Sequence, residues 1–459
     1  MNRYHTHANA HATSVRADEA HVNSRWMIAL AGTVIMTSLG AIYSWSIFTQ
    51  PLIAGFGWSN TTVTWTFAVA ILALSVGALV GGRWQDRAGP RLVTLIGVLL
   101  WGIGNVLAGL GTPRFGAVWL YLTYGALGRF GVGMAYITPV AVVTKWFPDR
   151  RGLGSGMVVM GFGLGAFFYN FIVKSSPGFE AAIVAATDYA ESVRIRRAVL
   201  TLSLDHLHAL MNVFVWSGIA FIAVGGACAL FLKNPPHGYA SPGLAAHAPE
   251  ARSHTTREML CRPQFYLLWS MLFLNITAGI LVISNAVPIM QELTHAAPTI
   301  VAAMYGCVCA ANGIGRLFWG AVSDRIGRHR AYCAIFGIQA CVFIALGSME
   351  SLTAVVLAYS IILLCYGGGF GTMPSFNADY FGTRHLGANY GALLTAWGAA
   401  GLVGPLFAAA VKDATGSFSG ALPIVTIMLC GAMILPMVIK RPGEAHPVAT
   451  SLSLKKKPA

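Results

Sequence analysis

The chain is short of charge. Acidic and basic side chains make up 10% of its 459 residues, against about 25% in an ordinary soluble domain. That shortage excludes a soluble globular protein. Segments of alternating apolar and polar residues are missing too, which excludes a β-barrel. The eight cysteines have no metal-ligand spacing. Most fall inside apolar runs, as Cys307, Cys309 and Cys365 do, and read as small packing residues with no disulfide among them. No nucleophile–base pair and no cofactor loop is apparent, because the GxGxxG-like runs lie inside apolar stretches rather than after a strand. The chain is therefore not expected to be an enzyme, and no cofactor or metal is expected.

What the chain has is apolar sequence in long blocks. Hydrophobic residues are 56% of the total and gather in twelve runs, at 27–49, 60–82, 92–112, 117–144, 152–174, 209–232, 264–290, 298–322, 331–349, 353–379, 386–411 and 420–440. Each is close to the roughly 20 residues that cross a bilayer as a helix. A closed helical bundle then satisfies every backbone polar group in lipid. The fold class predicted is an all-α integral membrane protein with twelve transmembrane helices.

The formal net charge is +14, but its placement points to a bilayer rather than nucleic acid. Basic residues sit in alternate loops: Arg83, Arg87 and Arg91; Lys145, Arg150 and Arg151; Lys233, Arg252, Arg257 and Arg262; Arg325, Arg328 and Arg330; Arg384; then Lys440, Arg441 and Lys455–Lys457. This is the positive-inside bias, and it predicts both termini in the cytoplasm. Residues 1–24, with His5, His7, His11 and His21, lack the apolar core of a secretory signal and read as a disordered cytoplasmic tail. Residues 175–208 carry charges of both signs and read as an extracytoplasmic insertion. Residues 442–459 read as a basic cytoplasmic tail.

Two stretches repeat. "GALVGGRWQDRAGPR" (77–91) and "GRLFWGAVSDRIGRH" (315–329) align without a gap, placing Gly77, Asp86, Arg87 and Gly89 on Gly315, Asp324, Arg325 and Gly327. More loosely, "GMVVMGFG" (156–163) matches "GALLTAWG" (391–398). The second run thus maps to the eighth and the fifth to the eleventh. Two six-helix halves are predicted, 25–232 and 263–441, joined by a cytoplasmic linker at 233–262. Parallel halves of this kind place a transport site near mid-membrane between them.

"GGRWQDRAGPR" resembles the signature loop of the major facilitator superfamily, and the weaker copy fits the same pattern. The resemblance covers all twelve runs and implies the major facilitator fold. Asp86, Arg87, Arg91, Asp324 and Arg325 are expected to serve as a cytoplasmic gate. At a helix end a carboxylate accepts from the backbone N–H groups of a neighbouring helix start, and arginines pair with acidic partners.

The sixteen acids all fall in loops or at helix ends, as do the lysines and histidines. Two arginines remain inside the spans, Arg129 and Arg316. A charge at mid-bilayer costs about 2.5–3.5 kcal/mol on an insertion scale. With no internal carboxylate to pair with, Arg316 is expected to take its partner from outside the protein, as an anionic substrate. The repeat aligns Arg316 with Ala78, so the gate motif itself does not ask for an arginine there. Asn312, four residues earlier, shares its helix face. Arg129, in "GALGRFGVG", resembles a helix-four motif linked to coupling, and reads either as a second anion contact or as a structural charge.

"GAIYSWSIFTQPL" (40–52), "GMAYITPVAVVTKWFPDRRGLGSG" (133–156), "NGIGRLFWGAVSDRIGR" (312–328) and "ADYFGTRHLGANYGALLTAWG" (378–398) resemble the oxalate:formate antiporter family and the related monocarboxylate transporters. That resemblance implies that Arg316 contacts a substrate carboxylate, with Tyr43 and Tyr136 as hydroxyl ligands. Oxalate antiporters carry a lysine in the eleventh helix; the corresponding position here is Trp397. One firm cation and an aromatic wall favour a small monocarboxylate such as lactate, pyruvate or formate. The alternatives are an oxalate or dicarboxylate:formate antiporter and, further off, a cation or multidrug efflux transporter. A counter-anion or a proton is the expected coupling partner, the latter carried on the substrate or through peripheral groups such as Asp379. The protein is expected to be monomeric and to lie in the cytoplasmic (inner) membrane.

Overall fold

The computed structural model describes residues 24–175, 178–185, 203–236, 239, 253–284, 286–296, 298–415 and 420–442. The N-terminal tail, the middle of the insertion and of the linker, and the C-terminal tail lie outside the described residues. Among those described, every regular element is helical.

Twelve membrane helices follow the twelve apolar runs. In the first half α1 is Ser24–Ser44, continued after a turn as Ser46–Phe56. Next come α2, Asn60–Ala88, and a long run from Pro90 to Trp146. That run folds back at Gly116, whose φ is 72°, and so divides into α3 (90–115) and α4 (117–146). The half closes with α5, Arg151–Lys174, and α6, Leu204–Ala229. In the second half α7 is Pro263–Ser284 with an extension Ala286–Thr294, and α8 is Pro298–Ile326. Then follow α9, Arg328–Leu346, and α10, Leu352–Phe381. The last two are broken: α11 is Leu386–Leu393 with Thr395–Thr415, and α12 is Ala421–Ala432 with Ile434–Val438.

The repeated loop has a local cause. Gly89 and Gly327, aligned in the two copies, have φ of 85° and 89°. Glycine adopts that left-handed conformation without steric cost, so each copy turns its chain sharply into the next helix. Pro90 then takes the first position of α3, where its missing N–H costs no hydrogen bond. Ser59 caps α2, its Oγ accepting from the N–H of Thr62 at 3.1 Å.

Large apolar side chains face outward, as on a lipid-facing surface: Phe171 is 73% exposed and Ile427 74%. The two halves meet along two seams, α2 against α11 and α5 against α8. Both seams are lined by glycine, which lets helix backbones approach closely. A Cβ on Gly82 would strike the Gly387 carbonyl, and one on Gly152 would strike that of Gly320.

Candidate functional site

Arg316 lies in α8 at the α5–α8 seam and is fully buried. It does not reach toward the membrane surface. Its Nε donates to Asn312 Oδ1 at 3.2 Å, and Nη1 to the Val159 carbonyl of α5 at 3.4 Å. Nη2 has no partner. The guanidinium carbon sits 4.8 Å from the Phe370 ring centre and 5.5 Å from that of Phe162. Asn312 therefore fixes the plane of the guanidinium through its carbonyl, one turn away on the same face.

Close helix packing sets that position. A Cβ on Gly367 would strike the Asn312 carbonyl and one on Gly371 the Arg316 carbonyl. Two glycines one turn apart on α10 thus admit the two α8 residues, also one turn apart. A polar brace holds α10 from behind. Asn275 of α7 donates to the Tyr366 carbonyl at 3.1 Å and accepts from Gln339 of α9 at 2.9 Å, while Tyr332 donates to the Gly369 carbonyl at 2.7 Å.

An aromatic cluster surrounds the guanidinium. Phe162 packs edge-on against Tyr43 at 5.4 Å, Tyr136 at 5.1 Å and Trp397 at 5.6 Å. Trp397 reaches Phe370 at 5.1 Å, and Phe370 reaches Tyr366 at 5.5 Å. Tyr136 and Tyr366 lie within electrostatic reach of Arg316, and Tyr390 within reach of Tyr136. The hydroxyls of Tyr43, Tyr136, Tyr366 and Tyr390 and the indole N–H of Trp397 are buried and none completes a well-formed hydrogen bond, although Tyr136 lies close beside Tyr390 and Arg316, and Tyr366 beside Tyr43. Together with Arg316 Nη2 they are buried polar groups that folding leaves unspent, and each such group is costly unless something else satisfies it.

Four of the residues singled out from sequence thus meet around Arg316: Asn312, Tyr43, Tyr136 and Trp397. Sequence reading missed Phe162, Tyr366, Phe370 and Tyr390. A signal for some of them existed. Residues 133–163 align without a gap on 368–398, pairing Gly133 with Gly368, Pro139 with Pro374, Gly152 with Gly387 and Phe162 with Trp397. Phe162 and Trp397 are thus equivalent positions that face each other across the two halves.

Arg129 is not part of this group. It is 2% exposed and sits inside the first half, its guanidinium carbon 3.9 Å from the Tyr124 ring centre, with Tyr169 as its other electrostatic neighbour. Its Nε and Nη1 have no partner. The helix immediately before it, Tyr121–Gly128, is wound as a π-helix, a form frequent at functional positions.

The side of the membrane that carries the linker is closed by carboxylates. Asp86, at the end of α2, accepts from the N–H groups of Gly387 at 3.3 Å and Ala388 at 2.8 Å, at the start of α11. Asp324, at the end of α8, accepts from those of Gly152 and Leu153, both at 2.8 Å, at the start of α5. Negative charge at a helix N-terminus is stabilised by the unpaired N–H groups and the helix dipole. Lys145 stands 3.7 Å from Asp86 and Arg328 2.7 Å from Asp324. Asp379 pairs with both Arg151 and Arg328 at 2.9 Å. The cations beside these carboxylates differ from those expected: Arg87 and Arg325 are exposed, and Arg91 donates Nε to the Leu232 carbonyl at 3.0 Å, away from the seams.

A family model described as Major Facilitator Superfamily matches residues 29–187, 207–405 and 268–457. The chain is 26% identical over 441 residues to the oxalate:formate antiporter of Oxalobacter formigenes, covering 95% of this chain and 96% of that one. It is 25% identical over 365 residues to apicoplast pyruvate carrier 1 of Toxoplasma gondii, covering 71% and 65%. Among solved structures, the fucose:proton symporter of E. coli superposes with a TM-score of 0.67 at 12% identity, over 90% of this chain and 97% of that one.

Proposed function

The chain belongs to the major facilitator superfamily of membrane transporters, and on that premise we propose that it carries a small carboxylate anion by alternating access. The observation that carries this reading is Arg316: a buried guanidinium whose Nη2 completes no hydrogen bond, with no carboxylate beside it among the described residues, and with four hydroxyls and an indole N–H around it that complete no well-formed bond of their own. A carboxylate has about four acceptor positions and suits such a donor shell, and the planar guanidinium matches it bidentately. Asn312 orients Arg316; Tyr43, Tyr136 and Trp397 supply further donors and the wall. The similarity to an oxalate:formate antiporter and a pyruvate carrier supports an anionic substrate.

A monocarboxylate is favoured, because Trp397 stands where the resemblance to oxalate antiporters expects a second cation. Oxalate:formate exchange is the second reading, supported by the full-length similarity to that antiporter. Asp86 and Asp324, with Lys145, Arg328 and Asp379, act as the gate that must release before the linker side opens. That side is the cytoplasmic one, since Arg83, Arg87, Arg150, Arg325 and Arg330 all lie on it. Arg129 remains a coupling charge within the first half.

The test is uptake of labelled lactate, formate and oxalate into proteoliposomes, with and without internal anion, for the unmodified protein and Arg316→Ala. Loss of uptake in a variant that still folds is expected. Unchanged carboxylate uptake would move the anchor elsewhere. Dependence on internal anion separates exchange from proton symport.

A further inference from the structure

The linker side carries a second candidate site, in no contact with the aromatic cluster. A cavity of about 300 Å³ opens between α1, the start of α3 and the end of α6, lined by Ser24, Met27, Ile28, Arg91, Leu230 and Lys233, with Phe231 completing it. Two of its residues are cations, and no acidic side chain lines it among the described residues. The Arg91 side chain and the backbone of Lys233 are held in place. Arg91 spends only its Nε, on the Leu232 carbonyl, and the Lys233 carbonyl accepts from Trp146 Nε1 at 2.7 Å. Leu232 itself is fully buried, which fixes the turn that carries Lys233 and accepts from Arg91. Arg91 also lies in the first turn of α3, which no side chain caps.

The other half of the cavity is apolar and faces outward. Met27 is 54% exposed, Leu230 59% and Phe231 49%. A soluble anion has no use for such a surface, whereas an acyl chain does.

We propose that this cavity binds an anionic phospholipid. Its phosphate sits between the Arg91 guanidinium and the Lys233 ammonium, and its acyl chains lie over Met27, Leu230 and Phe231. Basic pockets between transmembrane helices recognise lipid headgroups in this way. The lipid would tie α1, α3 and α6 together where the linker leaves the first half. The proposal is independent of the substrate reading.

The test is native mass spectrometry of the purified full chain with phosphatidylglycerol or phosphatidylcholine, and with glycerol 1-phosphate as the soluble competitor. One retained phosphatidylglycerol in preference to phosphatidylcholine is expected. Arg91→Gln and Lys233→Gln should each weaken retention about five-fold. Arg114→Gln, a charge change at the far end of α3, should leave it unchanged. Arg91→Lys loses the bond to Leu232 as Arg91→Gln does but keeps the charge, so it should retain the lipid. An equal loss in both Arg91 variants would mean the bond to Leu232 matters and not the charge, and would overturn the proposal. So would phosphatidylglycerol held by both Gln variants as tightly as by the unmodified protein, or its displacement by millimolar glycerol 1-phosphate, which would make this a site for soluble phosphate.

Discussion

At the scale of the residue, the proposed role of Arg316 rests on how its three nitrogens are shared out. Two of its nitrogens bond to Asn312 and Val159, at 3.2 and 3.4 Å, and the third is left to the aromatic cluster. A lysine there would keep the charge and lose the planar fork. Arg316→Lys is expected to weaken carboxylate binding by one to two orders of magnitude, read as the substrate concentration that half-saturates proteoliposome uptake. Hydrogen bonds to a charged acceptor contribute about 1.5–3 kcal/mol each. Tyr136→Phe, which removes one hydroxyl and leaves the ring against Phe162 and Trp397, should therefore raise the half-saturating concentration at least ten-fold. An unaltered value would show that the hydroxyl does not touch the substrate. Arg316 and Asn312 were legible from sequence because a charge or an amide inside an apolar run is conspicuous. Tyr366 and Tyr390 were not, because a tyrosine at helical spacing reads equally well as packing until the fold turns it toward a cation.

At the scale of the element, the site depends on how closely α8 and α10 approach. Gly367 and Gly371 meet the Asn312 and Arg316 carbonyls, and at Gly371 every near atom is backbone, which has no flexible end to give way. Gly371→Ala must push the two helices apart or shift Arg316, an overpacking that costs about 1–3 kcal/mol. A lower melting temperature in detergent and lost uptake are expected together. Gly226→Ala in α6, where an added Cβ meets nothing within 4 Å, should leave melting unchanged or raise it, because alanine favours a helix. Equal melting of the two variants would refute the packing argument. The spans themselves were readable because hydrophobic length alone decides them in lipid. The π-wound segment before Arg129 was not, because a change of helical winding leaves the apolar pattern untouched and depends on tertiary packing.

At the scale of the whole molecule, the repeat turns one contact into two. Asp86 and Asp324 are aligned positions, and the N–H groups they hold, on Gly387 and Ala388 and on Gly152 and Leu153, are aligned as well. Each half thus grips the other by the same device on both seams. The symmetry is incomplete. Asp379 adds a further contact across the α5–α8 seam through Arg151, and pairs within its own half with Arg328, where its aligned position in the first half is Thr144. If the halves rock as rigid bodies, neither seam can open without the other, and the cost of opening is the sum over both. Asp86→Asn is then expected to increase the open population equally at both seams, read as distance distributions between spin labels placed across each on the linker side. Asp324→Asn should increase it to a similar extent, because it removes the same kind of helix-start contact while the Arg151–Asp379 pair still bridges its seam. Separated sites add in free energy to within about 0.5 kcal/mol, so the double variant should combine the two shifts. A seam that stays closed while the other opens in Asp86→Asn would mean that α2 and α11 part locally, and that the halves do not move as units.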